Sequence, residues 1–150
     1  DGYRVTGREP REQRPFDRRQ MLVMNYIPVH NLVFRRECLD RAGIFDENLV
    51  IHEDWDMWVR LSQNYDFVPV YKNTADVRWW RDRTSLTFKR RAPSIGAMRA
   101  IYRKYAALTE NDAETRRRQR HCLRTVVNEV RALREEMKSK HAKILEGARR

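Results

Sequence analysis

Cysteine is scarce in this sequence. Only Cys38 and Cys122 occur, far apart and without CxxC or Cys/His spacing. That excludes a disulfide scaffold and a structural zinc site, and points to an intracellular chain with reduced thiols. Long apolar runs are missing, so no transmembrane helix is expected. Nothing in Asp1-Gly2-Tyr3-Arg4 reads as a signal peptide. A Gly-rich phosphate loop, GxSxG and HExxH are also absent, removing the phosphate-loop, nucleophile-elbow and zincin chemistries. There is no internal repeat. Acidic residues are the minority charge, 21 against 32 Lys and Arg, for a net charge of +11.

What is present is enough for one folded domain with an appendage, 150 residues of which 41% are hydrophobic and 35% charged. Arginine supplies 26 of the 32 cations. Residues 1–111 hold 20 Lys/Arg and 15 Asp/Glu, whereas residues 112–150 hold 12 and 6. The basic density therefore lies towards the C-terminus. It fits a solvated surface, or contact with an anionic membrane, an acidic partner or nucleic acid.

Residues 1–20 are polar and Arg-rich, with Pro10 and Pro15, and open on the strand-like Asp1-Gly2-Tyr3-Arg4-Val5. Short strands are expected at 31–34, 67–70 and 77–80. Helices are expected at 35–42, ended by Gly43 in a left-handed conformation, at 54–64, and from Pro93 to about 107. In the second helix Met57, Trp58, Leu61 and Tyr65 make one apolar stripe. Residues 112–148 read as one long helix, uninterrupted by Gly or Pro until Gly147. Leu123, Val126, Val130, Leu133 and Met137 form a coiled-coil-like seam that reaches Lys140 and Ile144. Residues 123–144 either pair with a second copy or pack back on the globular part. The domain division is 1–110 and 111–150.

The densest chemistry lies in Gly43-Ile44-Phe45-Asp46, followed by His52-Glu53-Asp54-Trp55-Asp56 and Arg60-Leu61. Carboxylates at a helix entry are kept ionised by the helix dipole, and an ionised carboxylate there is a competent general base. The plain alternative is that Asp54 only caps the helix. Asp56 and Arg60, four apart, are expected to pair. His30 and His52 have no partner at ligand spacing, so neither is assigned a metal. Trp79-Trp80 between Arg78 and Arg81 could stack a sugar and pair a diphosphate. Neighbours on a strand face opposite sides, so one of the two Trp would face a site.

The order Phe34-Arg35-Arg36, Gly43, Phe45-Asp46, Glu53-Asp54 and Arg60-Leu61 resembles the acceptor half of family-2 glycosyltransferases of the GT-A fold. Arg78-Trp79-Trp80-Arg81 and Ser85-Leu86-Thr87 resemble that family's following strand and loop, so the resemblance covers roughly residues 1–90 and not the long helix. It implies an α/β fold class, the C-terminal half of a GT-A fold with short strands, here followed by the long C-terminal helix. It also implies transfer of a sugar from a nucleotide-diphosphate donor to an acceptor hydroxyl, with inversion, in polysaccharide or glycolipid assembly. Asp54 would be the base, with Glu53 the second candidate, and His52, Trp80 and Arg81 would bind substrate. A divalent cation, Mn or Mg, would serve the full-length enzyme. The family's DxD motif and nucleotide-binding half precede this region, so the chain resembles a C-terminal fragment that is inactive alone and holds no cation. Asp54-Trp55-Asp56 is formally a DxD, but its context assigns it to the Glu-Asp motif. The implied partners are a nucleotide sugar and a sugar or lipid-linked acceptor, and the implied location is cytoplasmic, peripheral to the inner membrane. The alternative is a non-enzymatic basic helical module that binds nucleic acid or oligomerises. The acids around Asp54 and the lack of aromatic residues over 112–150 count against nucleic acid.

Overall fold

The computed structural model describes residues 7, 9, 14–77 and 91–148. Over these residues helices are the only regular secondary structure. In order they form α1 (Arg18–Val23), a 3-10 turn (Val29–Asn31), α2 (Cys38–Ala42), α3 (Glu53–Asn64), α4 (Arg91–Lys104), a second 3-10 turn (Ala106–Thr109) and α5 (Ala113–Ala148).

No strand occurs among the described residues, which overturns the expected α/β class. At 31–34, Asn31 closes a 3-10 turn and Leu32 is extended, at φ −118° and ψ 133°. Leu32 and Phe34 are half-buried and pack against the core, while Val33 is 97% exposed. The alternation expected of a strand is therefore there, but no neighbouring segment offers a ladder, and a strand needs one. At 67–70 only Phe67 packs inward, stacking on Phe16 with ring centroids 4.4 Å apart, while Val68 is 84% exposed. Val77 is exposed. The expected strand segments 1–5 and 78–80, with Trp80 and Arg81, lie outside the described residues.

α3 is the central element. Met57, Trp58 and Leu61 of the expected stripe are buried, and Tyr65 is half-buried against the core. Trp55 and Val59 are buried too, widening the apolar face to about 200° at about 100° per residue, while Glu53, Gln63 and Asn64 on the other side are exposed. α1 is only six residues long, and its last carbonyls have no partner within the helix. Three other helices supply donors. Trp55 Nε1 of α3 donates to Met21 O at 2.6 Å, Gln119 Nε2 of α5 to Leu22 O at 2.9 Å, and the Tyr102 hydroxyl of α4 to Val23 O at 2.7 Å. Asp17 caps the other end by accepting the Gln20 N–H at 3.0 Å.

α2 is shorter than expected, because residues 35–37 form a turn leading into it. Gly43 ends it with φ +74°, and a Cβ there would sit 3.4 Å from Arg60 Nη1. Arg60 explains the close approach. Its Nη1 donates to Ala42 O, its Nη2 to Ile44 O at 2.8 Å, and its Nε to Asp56 Oδ2 at 2.9 Å. The expected Asp56–Arg60 pair thus also ties α3 to the end of α2.

α5 starts from Asp112, whose Oδ1 accepts the Thr115 N–H at 2.9 Å and whose Oδ2 accepts the Thr115 hydroxyl at 2.7 Å. It packs back on α1 and α4. Thr115, Gln119 and Val130 are buried, and Cys122, Leu123 and Val126 are half-buried against the core. Of the expected seam, Leu133 is half-buried and Met137 is 62% exposed. No helix among the described residues is long and apolar enough to cross a membrane.

Candidate functional site

The site is built on the head of α3, where three carboxylates fall in the first turn. Their environments separate them. Asp56 is 0% exposed and fully occupied: Oδ2 takes Arg60, while Oδ1 accepts the Tyr105 hydroxyl at 2.7 Å and lies 2.8 Å from Lys104 Nζ. Lys104 also reaches Asp46 Oδ2 at 3.0 Å. Burial alone would lower the Lys104 pKa, but Asp56 and Asp46 outweigh it and hold the ammonium above its ordinary range. The same bond to Asp56, after burial, raises the Tyr105 phenol. Asp56 is therefore an interior anchor. Glu53 is exposed.

Asp54 is the intermediate case. It is half-exposed, and its Oδ2 accepts Asn25 Nδ2 at 3.0 Å while its Oδ1 accepts the Trp55 N–H at 2.8 Å. The capping alternative is thus met in part: Asp54 does take a first-turn N–H, but from the second helical position, because His52 holds the N-cap. A carboxylate with each oxygen fixed by a donor has a defined direction, and what remains of its surface faces solvent. That is what a positioned base requires.

His52 is unusual. An N-cap residue is typically extended, yet His52 is left-handed, at φ 66° and ψ 21°, and is the one non-glycine residue with positive φ among those described. Such a conformation costs on the order of 1 kcal/mol. Ring contacts offset it: Nε2 is joined to Ser94 Oγ by a hydrogen bond of 2.6 Å, and the ring stands edge-on to Trp55 at 5.4 Å between centroids. Burial pulls the imidazole pKa below its ordinary value of 6.5, with the nearby Asp54 and Glu53 charges opposing. His52 therefore lies beside the carboxylates as expected, but its Nε2 is engaged by α4. His30 is exposed in the first 3-10 turn.

Asn25 and Ser94 escaped the sequence reading. They sit 29 and 42 positions from the groups they bind, and no local pattern carries such a pairing. The available signal for Asn25 was a single amide inside the otherwise apolar run from Met21 to Ile27. The second amide atom strengthens it. Asn25 Oδ1 is buried and accepts no hydrogen bond among the described residues, a costly arrangement of the kind that gathers at sites.

The resemblance implies a divalent cation at the donor diphosphate. Among the described residues no three His, Cys, Asp or Glu side chains come together to hold one. Asp54-Trp55-Asp56 does not fit the group either, since Asp56 is sealed behind Arg60 and Lys104. No step here is routed through a metal. No family model, curated protein or solved structure matches this chain.

Proposed function

We propose that the chain forms the acceptor-side part of a sugar transferase using a nucleotide-diphosphate donor, with Asp54 as its base. The acceptor hydroxyl attacks the anomeric carbon while its proton passes to Asp54. The bond from that carbon to the diphosphate breaks with its electron pair going to the leaving group, which inverts the centre. The donor's nucleotide and any Mn or Mg belong, in this reading, to residues outside these 150, and Trp80 and Arg81 are retained as substrate contacts. Polysaccharide or glycolipid assembly is the setting that the resemblance implies.

One observation carries the reading. Of the three acids at the head of α3, Asp54 alone is both held in direction and open to solvent; Asp56 is sealed and Glu53 is exposed. The support is this local arrangement together with the order of the motif residues, and it does not draw on the overall fold. The test is transfer of labelled sugar from UDP- and GDP-sugars by a polypeptide that carries this chain with a donor-binding half. Asp54→Asn should lower kcat by roughly 10²–10⁴ and leave donor affinity nearly unchanged. Near-normal kcat in folded Asp54→Asn, with Glu53→Gln inactive, would move the role to Glu53. Near-normal kcat in both would remove the motif from the chemistry.

A further inference from the structure

The charges on α5 are sorted by face. At about 100° per residue, Arg117, Arg120, Arg124, Arg131, Arg134 and Lys138 fall within an arc of about 100°, and all six are exposed. The buried positions Thr115, Gln119 and Val130 lie on another side, against the body of the protein. Glu114, Glu129 and Glu136 fall outside the basic arc; Glu135, at its border, pairs with Lys138 at 2.8 Å. Arg117 is paired with Glu114. Arg120, Arg124, Arg131 and Arg134 have no acidic partner among the described residues. The result is a basic ridge about 32 Å long at 1.5 Å per residue, turned away from the core, with its two end cations paired and its four central arginines left without an acidic partner among the described residues.

We propose that this ridge docks on the surface of an anionic lipid bilayer. A plane of negative headgroups can meet one face of a long helix along its length, so the four arginines without acidic partners contribute together. A nucleic-acid duplex fits less well. Its phosphates spiral away from a helix lying along them, so only part of a row of cations about 32 Å long would meet phosphate at one time. The apolar side of α5 from Thr115 to Val130 is spent on the core, so the helix lies on the headgroups without inserting, and the association is electrostatic and salt-sensitive. The inference stands independently of the proposed transferase reading.

The test is co-sedimentation of the whole chain with phosphatidylcholine vesicles, with and without phosphatidylserine. Binding is expected only with phosphatidylserine and should fall steeply as salt is raised. Replacing Arg120, Arg124, Arg131 and Arg134 together by Gln should abolish it, at about fivefold per cation removed, with the helical circular dichroism unchanged. The same four changed to Lys should still bind, since the headgroups need only the charge. Replacing the exposed Arg36, Arg41, Arg99 and Arg103 by Gln removes equal net charge elsewhere and should leave most binding intact. Equal loss in the two Gln variants would mean that net charge alone acts, and would overturn the proposal. So would loss in the Lys variant, no preference for phosphatidylserine, or binding of duplex RNA or DNA without binding to anionic vesicles.

Discussion

Asn25 Nδ2 lies 3.0 Å from Asp54 Oδ2, joining the loop after α1 to the head of α3. The bond fixes one carboxylate oxygen from outside the helix, while the Trp55 N–H fixes the other from within it. Neither residue is fully buried, so the pair lies at the surface of the core, within reach of solvent.

Asn25→Ala removes the external donor and leaves Asp54 free to rotate about its side-chain bonds. A hydrogen bond to a charged group is worth about 1.5–3 kcal/mol, and a loss of that size in the transition state slows a reaction by roughly tenfold to a hundredfold. Steady-state transfer kinetics should show kcat down by that factor with the donor KM little changed. Asn25→Asp should be slower still, because a second negative charge would face Asp54. Unchanged kcat in Asn25→Ala would make the bond incidental to the chemistry.

Asp56 should behave oppositely to Asp54. Asp56→Ala leaves Arg60, Lys104 and Tyr105 without the acceptor on which all three converge. Removing one partner of a buried ion pair costs about 3–5 kcal/mol. Urea unfolding should show that loss as a lower midpoint with a similar slope, whereas Asp54→Asn should shift the midpoint little. A small effect at Asp56 would mean that its three partners find water or other acceptors.

The helices were legible where they announce themselves locally. The run from Asp112 without Gly or Pro, the Asp56–Arg60 spacing and Gly43 after Ala42 each set an element or its end by short-range chemistry. The expected strands failed for the complementary reason. Leu32-Val33-Phe34 has the right alternation, but a ladder is a property of two segments, and one segment's pattern cannot supply the second. At the site, the Glu53-Asp54 pair was visible because its residues are adjacent. Asn25, which holds Asp54, and Ser94, which holds His52, arrive from other elements. The left-handed backbone of His52, which histidine adopts more readily than most non-glycine residues, is marked by no local sequence pattern.

His52 provides a pH dependence with a definite sign. Burial holds its pKa in the folded protein below the ordinary 6.5, so the unfolded chain binds the proton more readily. Stability is then full above about 6.5 and is lost as pH falls from there through the lower folded value. His52→Gln keeps a polar ring-sized group without a titrating proton and should flatten that part of the profile. Thermal unfolding measured from about pH 7.5 down to about pH 5, an interval that brackets the ordinary histidine value, would check it. An equal decline in both proteins would assign the acid sensitivity to other groups.

Val130 and Met137 lie on the same side of α5, seven residues apart, with very different surroundings: 6% exposed against 62%. The difference separates a helix that only packs back from one that also pairs with a second copy. Val130→Ala should cost about 1.5–2.5 kcal/mol, from two lost methyl groups and the space they leave. Met137→Ala in a monomer should change stability by no more than about 0.5 kcal/mol, as exposed positions do. If instead the seam through Leu133 and Met137 is shared between two chains, Met137 is buried in the dimer. Its loss should then lower the midpoint in a concentration-dependent way and shift sedimentation towards a smaller species. The packed-back arrangement over Thr115–Val130 already occupies most of the inward face, leaving the stretch from Leu133 onward as the free part of the seam among the described side chains. Two turns of helix bury too little apolar surface for a stable pair by themselves, since specific interfaces bury about 1,200–2,000 Å² in total. The expected outcome is therefore a monomer in which Val130→Ala is destabilising and Met137→Ala is neutral at every protein concentration.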